Sequence, residues 1–223
     1  MYKKSEITPI FKDGDKFDTN NYWPISSLPY LRKIVERCIT NRIFTFYEHT
    51  NFFSKFQFSF QKRKSTTLSL IELTENIYKS LNSKEYHLSV FIGLTKVFDT
   101  INHQILFKKS ELSGIRGIVL DWLSSYLLNR EYFVKIGSFS SCSKFVNIRL
   151  PKGSILGPIL FLVHINDLPS VSKIFEYIMF ADETNVSFYD SNLESLISKV
   201  NFELKKIETW NISNRLTINA EKN

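Results

Sequence analysis

The sequence predicts a mixed α+β fold, built as one domain or as two closely joined subdomains. Several segments repeat apolar residues at helical spacing, and others are short apolar runs rich in β-branched and aromatic residues, as in buried strands. The chain has 223 residues, of which 43% are hydrophobic, so it can bury a sizeable core. These segments alternate along the chain, and one hairpin carries adjacent acids, so we expect a charged hairpin that emerges from a sheet.

Helical periodicity is clearest in the segment that follows a turn-rich stretch at 11–24. The predicted helices span residues 25–51, 65–82, 102–112, 116–128, 153–169 and 191–214. The first helix is expected to bury its apolar stripe, which places four charged residues on the exposed face: Arg32, Lys33, Glu36 and Arg37. The stripe consists of Leu31, Ile34, Val35, Cys38, Ile39, Ile43 and Phe46. Ser65 and Thr66 are candidate N-caps of the second helix, because their hydroxyl oxygens can accept from free backbone N–H groups.

Apolar runs bounded by turn residues predict the strands. They are expected at 87–94, at 131–137 and 143–150 as a hairpin, at 175–189 as a second hairpin that turns at Asp182, and at 215–219.

Composition narrows the possible partners and compartments. The net charge of +7 and the isoelectric point near 9.3 favour a polyanionic partner such as nucleic acid. Cys38 and Cys142 have no zinc-type or disulfide-framework spacing. No apolar run is long enough for a membrane span, and the first residues lack an apolar signal region. We therefore expect a nuclear or cytoplasmic protein that does not enter a membrane.

The stretch MFADETN, residues 179–185, places Asp182 beside Glu183 at the end of a buried strand. A buried carboxylate is costly unless a cation neutralises it, so the pair either holds a metal ion or opens an exposed turn. Two-metal nucleotidyl transfer uses Mg²⁺ ions about 3.5–4 Å apart on hard oxygen ligands. One acidic pair is insufficient for this chemistry, which needs a third carboxylate from a neighbouring strand.

Nine stretches, in the same order along the chain, resemble the reverse transcriptase domain of non-LTR, LINE-like (jockey-type) retrotransposons. They are ITPIFKDGD (7–15), NYWPISSL (21–28), QFSFQKRKST (57–66), KVFDTINH (96–103), GIRG (114–117), WLSSYLLNR (122–130), LPKGSILGPILFLVHINDLP (150–169), FADET (180–184) and W…NRLTIN (210–219).

The resemblance implies a polymerase fingers–palm fold, with an antiparallel palm sheet packed on helices. Residues 1–86 would form a partial fingers-like region, and residues 87–223 a palm-like region with a fingers insertion around 100–150. No thumb is expected within the chain. The implied partners are an RNA template, a DNA primer and deoxynucleoside triphosphates, with no obligate protein partner.

The resemblance also implies a role for the two adjacent acids. FADET aligns with the family's FADD pattern, so Asp182 and Glu183 take the places of two metal-binding aspartates. The third ligand of the implied two-Mg²⁺ site falls on Gly93, which has no side chain to coordinate anything. If the missing ligand raises the barrier by ~4 kcal/mol, the rate falls about a thousandfold. Asp99 is expected to cap the helix over 100–112 rather than to bind metal.

The resemblance implies that five further residues take part in nucleotide binding. Phe98 matches the bulky residue that screens the sugar 2′ position in the family, although it also fits an ordinary core position. Lys62 and Lys64 lie where a triphosphate cradle is expected, and a solvated basic patch is the alternative. Gly153 would let the backbone approach the template closely, while Lys152 replaces a glutamine and adds charge.

Other departures from the family pattern include Ser59 in place of glycine, Gln61 in place of arginine and Trp23 in place of a cation. The sequence thus predicts an RNA-directed DNA polymerase domain whose catalysis is impaired. The alternative is a non-catalytic nucleic-acid-binding remnant of a decayed element.

Overall fold

The computed structural model describes residues 4–27, 30–146, 148–151 and 153–219. Its strands are β1 (Lys4–Phe11), β2 (Tyr22–Ser27), β3 (Tyr86–Gly93), β4 (Arg130–Ile136), β5 (Phe139–Ser140), β6 (Lys144–Val146), β7 (Glu176–Phe180) and β8 (Glu183–Asp190). Its helices are α1 (Tyr30–His49), α2 (Thr66–Asn82), α3 (Val97–Thr100), α4 (His103–Leu112), α5 (Ile118–Leu127), α6 (Gly157–Ile165) and α7 (Leu193–Ser213). None of the helices formed by these residues is long and apolar enough to cross a membrane.

The chain forms two compact units that interleave along the sequence. The first comprises Met1–Thr50 and Phe98–His164, and the second comprises Asn51–Val97 and Ile165–Asn223. The boundary expected at residue 86 from the family pattern stays a prediction.

Short polar side chains fix where three helices begin. Ser65 Oγ accepts a hydrogen bond from Leu68 N (3.2 Å) at the start of α2, which confirms the predicted cap. Asn102 Oδ1 accepts from the first backbone amides of α4, and Asn192 Oδ1 accepts from Ser195 N at the start of α7. Each cap satisfies a donor that the helix itself leaves without a partner.

In the first unit, β1 lies between β2 and β4. It pairs antiparallel with β2 and parallel with β4, and β4 also pairs with β5 and β6. The pairing with β4 ends at Ile7, so Pro9 lies beyond it, opposite Pro24 of β2. Proline has no N–H to donate and is tolerated where no neighbouring strand needs that donor.

Glu36, in α1, is the most buried charge of the first unit, with 0% exposure. Its Oε1 accepts hydrogen bonds from Arg32 Nε (3.1 Å) and the Tyr126 hydroxyl (2.9 Å), and its Oε2 accepts from Ile155 N (2.9 Å). Burial and the nearby negative charge of Glu36 raise the pKa of Tyr126, so its hydroxyl keeps the proton that it donates. The carboxylate therefore joins α1, α5 and the segment before α6.

This network corrects the expected orientation of α1. Arg32 and Glu36 are buried, whereas Leu31 and Ile34 of the predicted apolar stripe are 78% and 58% exposed. The physical reason is that the buried carboxylate is fully hydrogen-bonded, which offsets the cost of taking it out of water.

In the second unit, β8 lies between β3 and β7, and all three strands run antiparallel to their neighbours. Met179 and Val186 are fully buried in the sheet, and α7 buries Leu196, Val200 and Ile207 beside it. Two segments extend the sheet at its edges, through the bridges Gln57 to Met179 and Leu94 to Ile218.

The predicted α+β class and the hairpin that turns at Asp182 are confirmed. The β1–β2 hairpin was not predicted, because its prolines and turn residues hide the strand alternation. The segment 215–219 contributes the bridge at Ile218 but no strand longer than that among the described residues. Helix α6 begins at Gly157 rather than near residue 153.

We expect Glu36→Ala to lower the free energy of unfolding by about 3–5 kcal/mol, because it leaves three buried donors, one of them charged, without their acceptor. Urea denaturation followed by circular dichroism measures this change. Glu75→Ala, which removes an exposed glutamate of α2, is the control and is expected to change the value by less than about 0.5 kcal/mol. Equally small losses in both variants would contradict a structural role for the buried carboxylate.

Candidate active site

The adjacent acids lie at a tight turn between β7 and β8. Phe180 pairs with Glu183, so Ala181 and Asp182 are the two turn residues. Ala181 has a φ of +52°, a conformation that two-residue hairpin turns require and that glycine adopts most easily. Asp182 is half-buried and Glu183 is exposed, so both carboxylates lie at the tip of the hairpin.

A buried polar segment holds this turn. Ser59 Oγ accepts a hydrogen bond from Ala181 N (2.8 Å) and donates one to Gln57 Oε1 (2.9 Å). Ser59 and Gln57 are 3% and 2% exposed. Two backbone hydrogen bonds, Phe58 N to Met179 O and Met179 N to Phe56 O, both 2.8 Å, align the segment with β7. The strained turn residue is thus fixed by its own amide.

Gly93 lies directly opposite Glu183 in the antiparallel pairing of β3 with β8. Leu94 N donates to Asp182 O (3.0 Å), which places the end of β3 against the turn. Side chains of directly opposed residues project from the same face of a sheet, so a carboxylate at position 93 would stand beside that of Glu183. Glycine supplies none.

The donors present at the turn do not make the metal site that the resemblance implies. Mg²⁺ requires several hard oxygen ligands, and here Asp182 and Glu183 stand without a third carboxylate on β3. Among residues 4–27, 30–146, 148–151 and 153–219, no three His, Cys, Asp or Glu side chains are grouped so that they could hold a metal ion.

The basic residues expected near a triphosphate differ in their surroundings. Lys64 Nζ donates to Lys55 O (2.8 Å) and lies 4.1 Å from the centroid of the Phe58 ring. Burial lowers the pKa of Lys64, and the charge of Glu72 acts in the opposite direction. Lys62 is exposed, in the loop before α2. Lys152 lies outside the described residues.

Phe98 and Gly153 belong to the first unit. The Phe98 ring is half-buried and lies 5.5 Å from that of Phe161, centroid to centroid. Gly153 has a φ of +85°, a backbone conformation that other residues rarely adopt. The role of each in nucleotide binding stays a prediction.

Asp99 does not cap the following helix, because Asn102 occupies that position. Asp99 instead forms an ion pair with Arg149 (3.2 Å), so the expectation of a cap was wrong. Ser59 was expected only as a departure from the family pattern, and its contact with the turn was not predicted. A polar Gln57–Ser59 pair inside an aromatic stretch was the available signal.

A family model described as reverse transcriptase (RNA-dependent DNA polymerase) matches residues 9–223. The chain is 29% identical over 230 residues to the RNA-directed DNA polymerase from mobile element jockey of Drosophila melanogaster, an alignment that covers 99% of this chain and 25% of that protein. It is 32% identical over 173 residues to the probable RNA-directed DNA polymerase from transposon BS of the same species, covering 76% and 19%. The chain thus spans a quarter or less of these relatives.

The fold of this chain is similar to those of solved structures. The apo telomerase from Candida tropicalis, truncated from the C-terminal domain, superposes with a TM-score of 0.67 at 11% identity, covering 99% of this chain and 49% of that one. Telomerase from Candida albicans in complex with the TWJ fragment of telomeric RNA gives 0.65 at 12% identity, covering 99% and 41%. At such low identity the likeness shows the fold, and the expected reverse transcriptase type is confirmed.

We expect Ser59→Ala to lower the free energy of unfolding by about 1–3 kcal/mol, because the amide of Ala181 and the side chain of Gln57 lose a buried partner. Thermal or urea unfolding measures the loss. The control, Ser83→Ala, removes an exposed hydroxyl after α2 and is expected to cost less than about 0.5 kcal/mol. If the two variants unfold alike, Ser59 does not hold the turn.

Proposed function

The chain belongs to the reverse transcriptase family, and from this premise we propose that it is an RNA-directed DNA polymerase domain of a non-LTR retrotransposon with impaired catalysis. Its partners would be an RNA template, a DNA primer and deoxynucleoside triphosphates, and its cofactor Mg²⁺. Residues 1–86 would serve as fingers, and residues 87–223 as palm with a fingers insertion around 100–150.

The observation that carries the proposal is the position of Gly93. The residue pairs with Glu183 beside the acidic turn, where a third carboxylate would complete the set. The turn itself is held by the hydrogen bond from Ala181 N to Ser59 Oγ and by the one from Leu94 N to Asp182 O. The defect is therefore chemical and local. A site with Asp182 and Glu183 alone supplies too few hard ligands for two divalent cations.

Nucleic-acid binding depends on other groups and would survive this defect. The net charge of +7 favours a polyanion, through phosphate contacts that weaken as salt increases. By the family pattern, Lys62 is proposed to contact the triphosphate, and Gly153 is proposed to let the backbone approach the template closely. Phe98 would screen the sugar, and Lys64 would add charge only where its hydrogen bond to the Lys55 carbonyl opens.

A second candidate function is non-catalytic binding of nucleic acid by a remnant of a decayed element. The same absence of a carboxylate at position 93, together with the basic charge, favours it. The two proposals differ in whether restoring the carboxylates restores chemistry.

We expect the unmodified chain to extend a DNA primer on an RNA template at close to the background rate, with Mg²⁺ or Mn²⁺. Gly93→Asp combined with Glu183→Asp is expected to raise the rate about a hundredfold or more, since one recovered ligand worth ~4 kcal/mol corresponds to about a thousandfold. Gly93 lies in a paired strand, a backbone conformation that other residues also adopt. Circular dichroism and the melting temperature of the variant check that it folds.

Gly93→Asn with Glu183→Gln is the matched control, because it adds similar volume without charge and is expected to stay at background. Rapid extension by the unmodified chain would contradict the impairment. Binding of a labelled RNA–DNA hybrid by a restored variant that remains inactive would favour the non-catalytic function.

A further inference from the structure

An open groove lies in the second unit, between α2 and the sheet. Its volume is about 450 Å³, within the range of small-molecule sites. Leu70 and Leu73 of α2 line one side, and Phe91, Ile178 and Phe180 of the strands line the other. The lining is therefore mainly apolar and partly aromatic, as expected for a site that accepts a flat ring.

Asn185 lies among these apolar residues. It is opposite Phe91 on β3 and opposite Ile178 on β7, so the three side chains share one face of the sheet. Further along the same face, His87 of β3 hydrogen-bonds Ser80 of α2 (3.1 Å), which shows that α2 covers this face. The carboxamide of Asn185 is thus directed towards the groove.

The carboxamide is buried without a hydrogen bond. Asn185 is 5% exposed, and neither Oδ1 nor Nδ2 has a partner among the described residues. Ser69 of α2 also lines the groove, and its hydroxyl already donates to Thr66 O (2.7 Å). An unpartnered buried amide costs about 1–3 kcal/mol and is rare in native proteins, so it points to a ligand that completes it.

A carboxamide presents one donor and one acceptor side by side. The complementary edge carries an acceptor beside a donor, as N7 and the N6 amino group of adenine do. The aromatic rings of Phe91 and Phe180 suit a stacked base, and such stacking contributes about 1–3 kcal/mol per base. The carboxylate of Glu183 also lines the groove and disfavours phosphate there, so a neutral base fits better than a nucleotide's charged end.

We propose that this groove binds an adenine-type base through the carboxamide of Asn185. Both polar atoms are shielded from solvent in the free protein. The base would reach them when the Phe91 ring, which is 62% exposed and opposite Asn185, swings aside. Gly93 and Glu183 of the candidate active site also line the groove. Binding of a base there requires neither a metal nor catalysis, so it is tested independently of the proposed polymerase function. A free nucleoside and an unpaired position in a single strand are the two sources of such a base.

Calorimetric titration of the 223-residue chain tests the site, with adenosine and single-stranded oligoadenylate as separate probes. We expect saturable binding of at least one probe, and at least about tenfold weaker binding by Asn185→Leu, because two hydrogen bonds to the base are lost. Saturation by adenosine identifies a nucleoside site, and saturation by the oligonucleotide alone identifies a base within a strand. N6,N6-Dimethyladenosine, which lacks the amino donors, is expected to bind at least about tenfold more weakly than adenosine.

Two variants separate the site from general stability. Asn211→Leu makes the same change at another buried asparagine, on α7, and is expected to bind like the unmodified chain. Leu70→Trp, at a position 61% exposed, fills the groove without altering the core and is expected to abolish binding. Melting temperatures confirm that each variant is folded. Absence of saturable binding by either probe, or unchanged binding by Asn185→Leu and Leu70→Trp, would overturn the proposal.

Discussion

The antiparallel register between β3 and β8 is the constraint on which the candidate site depends. Eight consecutive pairs run from Tyr86–Asp190 to Gly93–Glu183. Because side chains alternate between faces, a slip by one residue would move every side chain of one strand to the opposite face. The register therefore determines that Gly93 stands beside Glu183 and that Asn185 stands beside Phe91. The same pairing creates both the gap in the acidic set and the unpartnered amide in the groove.

Buried polar groups specify geometry in both units, by different means. In the first unit, the carboxylate of Glu36 accepts three hydrogen bonds and fixes which face of α1 is buried. In the second, the neutral pair of Gln57 and Ser59 fixes a turn residue whose positive φ is unfavourable for alanine. Well-packed apolar side chains in place of either network would give the folded chain a similar free energy of unfolding. Each network instead favours the observed conformation over alternative conformations that would leave its buried polar groups without partners.

The sequence predicted the features that depend on local patterns. The turn at Asp182, the cap at Ser65 and the strand predicted at 87–94, observed as Tyr86–Gly93, all follow from alternation, capping chemistry and apolar runs. The sequence did not predict features that depend on contacts between residues far apart in the chain. Glu36 was expected in water, because its partners Tyr126 and Ile155 are about 90 and 119 residues away. Ser59 was seen only as a departure from a motif, because its contact with Ala181 spans 122 residues.

Mn²⁺ binding, followed through the electron paramagnetic resonance signal of the free ion, tests whether the carboxylate set is incomplete at Gly93. We expect weak binding by the unmodified chain and at least about tenfold tighter binding by Gly93→Asp, because the aspartate adds a charged oxygen ligand beside Glu183. Tight binding of two Mn²⁺ ions by the unmodified chain, lost in Asp182→Asn, would show that the site is complete without a carboxylate at position 93.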